Sequence, residues 1–307
     1  MDKWIKGRRS KLISCLLVAT CSANAQQTNW SNQYMTNPTP YNIAYATLER
    51  DGGSLHLLGR RQWVGINGAP SSVLINANLA LPTFSANTGL TILYDEIGAE
   101  RLTEASAFFA KAVQLDENLQ LAASLKVGIR HYTAHYSQLD PFDVKFREDL
   151  VQTSPTMGLG VMLFQPNHFY VGASLPRLNI RELGDASTDR AHHFRHTWHL
   201  IGAYLFEVDR DITLKPVSLI SYTKTLPVSL DFSLSSYFKQ QFGVGAGYRS
   251  SGDIVGLLDY LSPVGFRVGY TYQTAVGNNR NTLLRGVTHE ISLGYYFLSG
   301  LRGISLL

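Results

Sequence analysis

Past residue 25 the chain has no cysteine: of its 307 residues, only Cys15 and Cys21 carry a thiol. A segment without cysteine forms no disulfide, holds no thiolate metal ligand and has no thiol nucleophile. Long apolar runs are missing as well. No stretch of 18 apolar residues occurs after residue 25, so no helix is expected to cross a bilayer. Charge is scarce, with Asp, Glu, Lys and Arg together at 16%.

An excess of either charge is also missing, once the first residues are set aside. Lys3, Lys6, Arg8, Arg9 and Lys11 precede a short apolar run, Leu12 to Thr20, and then Ala23-Asn24-Ala25. That order has the build of a secretory signal peptide over residues 1–25. Cys21 offers a lipoprotein alternative, to which Thr20 is a poor fit. Cutting after Ala25 leaves 22 basic and 22 acidic residues. The pI near 9.0 therefore belongs to the leader and is no sign of nucleic-acid binding. What remains is an exported chain rich in Tyr and Phe and 45% hydrophobic overall. In an outer-membrane barrel apolar and polar residues alternate, and no segment is membranous by itself.

From Ser54 onward apolar and polar residues do alternate. Leu119, Leu121, Ala123, Leu125, Val127 and Ile129 share one strand face, while Gln120, Ser124, Lys126, Gly128 and Arg130 share the other. Val228, Leu230, Phe232 and Leu234 oppose Ser229, Asp231, Ser233 and Ser235, and Phe242 to Tyr248 opposes apolar residues to three glycines. The pattern predicts fourteen strands over 54–63, 72–81, 88–95, 101–115, 118–132, 156–165, 168–175, 194–208, 212–222, 226–237, 240–249, 253–261, 265–274 and 286–297. The number is even, as single-chain bacterial barrels require, and many segments suffice for a tilted crossing of roughly 9–11 residues. Every second connection is short. The longest, 133–155, 176–193 and 275–285, fall at the opposite end. That asymmetry fits short periplasmic turns and longer outer loops, and argues against a pair of soluble β-sandwiches. The fold class is thus all-β, a transmembrane antiparallel barrel of about 14 strands over 54–298. An irregular periplasmic segment, 26–53, precedes it and a tail, 299–307, ends the chain. Fourteen strands enclose a bore that wall side chains cannot fill, so loops, a plug or water must occupy it.

The segment Gln33 to Ala46, QYMTNPTPYNIAYA, is too polar and proline-broken for a core helix. It resembles the opening of the PorP/SprF family of outer-membrane proteins tied to type IX secretion and gliding, through Gln33, Tyr34, Met35, Asn37, Pro38, Asn42, Ala44, Tyr45 and Ala46. Arg60, Gln62, Trp63, Gly65, Gly68, Ala69 and Pro70 continue the likeness. Asp95-Glu96-Ile97-Gly98, Asp140-Pro141-Phe142, Ser174-Leu175-Pro176 and His289-Glu290-Ile291-Ser292-Leu293 complete it in order. Ile43, Thr47, Ala99 and Arg177 depart from the pattern, as a divergent member would. The resemblance implies a non-enzymatic barrel with no cofactor. Its partners would be a secreted type IX cargo or adhesin, periplasmic secretion or peptidoglycan-linking proteins, and the lipid bilayer. A general porin or small-molecule uptake channel is the alternative.

The segment is expected to fold back on the periplasmic mouth, with Tyr34, Met35, Tyr41 and Tyr45 as packing anchors. Tyr34, Met35, Asn37, Pro38, Tyr45, Arg60, Gln62, Trp63, Gly68, Pro70, Asp140, Pro141 and Phe142 are the candidate plug or partner-contact residues. His192, His193, His196 and His199 attract a metal reading. On a strand they split two to each face, which argues against convergence. No spacing of Ser, His and Asp or Asn singles out a hydrolytic set. Trp63, Tyr94, Trp198, Tyr237, Tyr260 and Tyr295 are read as an interfacial aromatic girdle. Inward Lys126, Arg130, Arg249 and Arg267 are expected to pair with carboxylates such as Asp231, Asp259 and Glu290.

Overall fold

The computed structural model describes residues 31–138, 149–179, 196–224, 226–276 and 286–297. Its strands are β1 (Gly53–Arg61), β2 (Ser71–Leu81), β3 (Ala86–Ile97), β4 (Glu100–Gln114), β5 (Gln120–Ala134), β6 (Leu150–Gln165) and β7 (Phe169–Asn179). The second half comprises β8 (Thr197–Tyr204, resuming at Phe206–Glu207), β9 (Ile212–Thr223), β10 (Ser229–Phe238), β11 (Phe242–Arg249), β12 (Asp253–Leu261), β13 (Phe266–Ala275) and β14 (Thr288–Phe297). Each pairs antiparallel with the next. β14 returns to β1, with Gly53 opposite Phe297 and Arg61 opposite His289. The sheet is closed, so hydrocarbon meets no free edge at this seam. No helix of the described residues is long and apolar enough to cross a membrane; the crossing is by strands.

The fourteen-strand expectation holds, with local differences. β5 runs on to Ala134 and β6 starts at Leu150, so the connection expected over 133–155 shrinks to 135–149. β7 continues to Asn179, past its expected end at 175. β8 is interrupted at Leu205, whose amide hydrogen-bonds the His168 carbonyl across the turn at 2.7 Å, while both pieces stay paired with β9. Pro216 sits inside β9 without breaking its ladder to β10.

Alternation sorts the wall as expected. Leu125, Val127 and Ile129 point outward and are 45–60% exposed, while Ser124, Lys126 and Arg130 on the same strand are buried inside. Tyr94, Trp198, Tyr260 and Tyr295 lie outside near strand ends, where girdle residues belong. Tyr237 does not; its strand parity turns it inward, and it is fully buried. The connections 82–85, 115–119, 166–168, 208–211, 239–241 and 262–265 share one end. The longer 62–70, 135–149, 180–196 and 276–287 share the other. We call these the short-turn and long-loop ends.

Candidate functional site

The bore is occupied by the chain itself. Residues 31–48 lie inside the barrel, and all but Asn37 and Pro40, which are half-buried, are buried. The sequence suggests a segment folded against the periplasmic mouth; in the structure it lies within the lumen. The reason is volume and polarity: the lumen needs filling, and this segment has side chains of both kinds with which to fill it.

Its path arises from its own residues. Asn37 accepts the Thr39 amide at 3.1 Å, and the Pro38 carbonyl accepts from Tyr41 and Asn42. Asparagine and proline thus build a turn, with φ preset by the rings. Asn42 then caps a short 3-10 helix, Ile43–Leu48, by accepting the Ala44 amide at 3.1 Å. An earlier 3-10 turn spans Gln33–Met35. Short helices with tight i to i+3 bonds satisfy backbone groups locally, where a lone extended segment would have no ladder partner.

Apolar contacts hold the middle. Tyr34, Met35, Tyr41, Ala44, Tyr45 and Leu48 form one cluster with wall residues that include Met162, Phe164, Tyr170, Leu219 and Leu257. Tyr45 meets the Tyr170 ring edge-on at 5.4 Å, and Tyr41 meets His199 at 5.2 Å. Ile43 and Ala46 pack on Phe108 and Ala110. The wall has glycines where the segment comes close. A methyl group at Gly160 or Gly172 would collide with the Asn42 amide, and one at Gly247 would lie 2.9 Å from the Met35 methyl.

Polar contacts hold both ends. Glu290 on β14 accepts from Ser31 Oγ at 2.9 Å and from the Asn32 amide at 2.9 and 3.0 Å. Its other partner is the Arg60 guanidinium, at 2.9 Å, from the residue directly opposite on β1. Asn32 also donates to Gln273 and accepts from Arg249, each at 2.9 Å, and Arg249 is paired with Asp231. All of these partners lie toward the long-loop end. Lower down, Arg267 is forked onto Asp259 and donates to the Thr36 carbonyl at 3.2 Å. The Ser174 hydroxyl donates to the Tyr41 carbonyl at 2.6 Å, and the Asn42 amide to the Val161 carbonyl at 3.0 Å. At the short-turn end, Glu49 accepts from Ser54 at 2.8 Å and Asn78 at 2.7 Å, and its carbonyl accepts from Asn87 at 2.9 Å. Burial raises the Glu49 carboxyl above its ordinary value, against those two donors. The segment thus runs through the barrel, from Ser31 near the long loops to Glu49 at the short turns.

The inward charges pair as expected in kind but not in every partner. Arg249 and Arg267 take Asp231 and Asp259. Lys126 and Arg130 take Glu104 instead, at 2.8 and 3.1 Å, together with Arg177 at 3.4 Å. Glu104 does not stand out in the sequence because β4 shows no clean polar face: Leu102, Phe108 and Ala110 share its side. Above it, Leu58, Leu74, Leu93, Leu102 and Tyr132 make a second apolar cluster toward the long-loop end.

Most candidates gather in two places. Tyr34, Met35, Asn37, Pro38 and Tyr45 are in the luminal segment, and Arg60 binds the carboxylate that holds it. Gln62, Trp63, Gly68 and Pro70 lie on the 62–70 loop, where the Gln62 amide donates to the Pro70 carbonyl and Gly98 donates to that of Gly68. Trp63, Gly65 and Gly68 have positive φ, so the loop has a defined shape. Asp140, Pro141 and Phe142 fall outside the described residues, as do the leader, His192 and His193. His199 faces the lumen and bonds Ser221, whereas His196 bonds the Arg177 carbonyl. Among the described residues, no three His, Asp or Glu are grouped to hold a metal. Glu49, Asn78 and Asn87 are anchors that sequence reasoning misses, and Asn42 and Ser174 enter it only as motif matches. Strand parity marks Asn78 and Ser174 as inward, and Asn87 falls just before the strand expected over 88–95, but nothing local says that peptide carbonyls or a carboxylate await them.

A family model described as type IX secretion system membrane protein PorP/SprF matches residues 23–295. No curated protein matches the chain. Among solved structures, the CymD monoaromatic hydrocarbon channel is 12% identical, with a TM-score of 0.50 over 88% of this chain and 94% of that one. The Pseudomonas putida toluene transporter TodX is 10% identical, with a TM-score of 0.46 over 88% and 95%. A Pseudomonas aeruginosa FadL homologue is 8% identical, with a TM-score of 0.45 over 84% and 94%. At these identities the likeness to CymD speaks for the barrel fold alone.

Proposed function

We propose, on the premise that this chain belongs to the PorP/SprF family of type IX secretion membrane proteins, that it is a plugged outer-membrane barrel. It would anchor a secreted adhesin-type protein or link the membrane to periplasmic secretion components. Chemistry on a substrate is no part of this reading. The observation that carries it is the filled bore: residues 31–49 are tied by hydrogen bonds to β2, β3, β6, β7, β11, β13 and β14. A lumen packed in this way supports a docking body better than an open pathway. Cargo contacts would fall on the 62–70 loop and its neighbours at the long-loop end, and machinery contacts on the short turns.

A strain lacking the gene tests it. One surface protein should be lost while secretion of other type IX cargo continues. Loss of all type IX export would make this a core component instead, and no change at all would remove the reading. The channel alternative rests on the fold shared with a hydrocarbon channel. A large, stable current through the intact protein in a planar bilayer would support it.

A further inference from the structure

The outer wall carries a concave site near the short-turn end. A groove of about 530 Å³ opens there between Phe238, Phe242, Val244, Leu258, Val268 and Tyr270. Its rim is aromatic: Phe242 and Tyr260 stack with centroids 4.7 Å apart. Above Val244 and Leu258 the next outward pair in register is Ala246 and Gly256. A Cβ at Gly256 would find open space, with its nearest neighbour a carbonyl at 4.0 Å. Directly above the groove the wall thus bears no large side chain at these two positions, a shallow trough that points toward the middle of the apolar band. At its lower end the Lys239 ammonium lies 5.3 Å from the Phe238 ring centroid, on the 239–241 turn.

We propose that this groove binds one glycerophospholipid, an acyl chain in the trough and the head-group phosphate on Lys239. Each part of the site matches a part of that molecule. Apolar side chains and a missing side chain at Gly256 fit a hydrocarbon tail. Stacked aromatics sit where the tail meets the head group. A cation at head-group height fits the phosphate, and short turns place that height in the periplasmic leaflet. A protein strand could not add to the sheet here, since the wall beneath is fully paired and offers no free backbone edge.

The test uses the full chain, purified in detergent, stripped of lipid and titrated separately with phosphatidylglycerol and with diacylglycerol of the same chains. Native mass spectrometry reads the bound number. We expect one phosphatidylglycerol held well above the background of loosely bound copies. Gly256→Trp should fill the trough and weaken that site at least tenfold. Lys239→Glu, on an exposed turn, should weaken it about fivefold while leaving diacylglycerol unchanged. Ala107→Trp, outward on the far wall, should have no effect. Equal retention in all variants would overturn the proposal, leaving only general solvation by lipid. So would equal binding of diacylglycerol and phosphatidylglycerol, or a stable dimer in place of the lipid. Should Gly256→Trp fail to fold, Lys239→Glu decides.

Discussion

Glu290 joins parts of the chain that are far apart in sequence. It meets Arg60 across the closing β14–β1 seam and holds Ser31 and Asn32 of the luminal segment. A buried ion pair is a poor source of net stability, but removing one partner strands the other. Glu290→Ala should therefore cost about 3–5 kcal/mol, read as an earlier loss of the compact, heat-modifiable form on gels. Met35, fully buried against Gly247, acts by volume instead. Met35→Ala should cost about 2–5 kcal/mol in the same assay. Glu49 adds a pH dependence. Its folded carboxyl sits above the ordinary value of 4.5 because of burial, so the folded state binds this proton more tightly than the unfolded one. Its contribution to stability is fully present below that value and is lost as pH rises through the raised one. Glu49→Gln should flatten stability against pH in this window. An unchanged slope would assign the dependence to other groups.

Among elements, the luminal segment has the role least legible in the sequence. Its prolines, asparagines and tyrosines speak for order without regular structure, and its turn and its cap arise from Asn37, Pro38 and Asn42. Its position is another matter, because proline and asparagine chemistry fixes a local path and says nothing of the wall it meets. The strands are the reverse case. Val127 and Ile129 against Lys126 and Arg130 are legible, since a period of two needs only neighbours. β4 is less so because its inner face meets a packed segment, not water, and so mixes Phe108 with Glu104. If the segment seals the bore, deleting residues 31–48 should convert a silent protein into one with large steady conductance in planar bilayers. Gly172→Val, which pushes on Asn42, should give intermittent openings. Silence in both variants would mean that something besides this segment closes the lumen.

At the scale of the molecule the two ends differ, and the luminal segment has a direction between them. Ser31 lies near the long loops and β1 begins at the short turns, so the chain passes down its own barrel before building the wall. Arg60, Glu290 and Asn32 join the closing seam to this segment. Sidedness has a direct check. Cysteine placed at exposed Gly68 should react with a membrane-impermeant maleimide on intact cells, while cysteine at Lys239 should react only after the outer membrane is opened. The opposite pattern would invert the barrel and move the lipid site to the outer leaflet.

The amino-acid sequence alone determined the strand number, the outward faces, the two unequal ends and the likeness to PorP/SprF. All of these rest on local periodicity, turn chemistry or ordered motifs. Only the tertiary structure decided that residues 31–48 fill the bore, that Lys126 and Arg130 meet Glu104, and that a groove opens beside Lys239. The reason is physical. Alternation specifies which side of a strand faces in, whereas closure of the sheet decides which inward groups from distant strands meet and how much space they leave. QYMTNPTPYNIAYA has the residues of a plug, but a plug is defined by the wall around it.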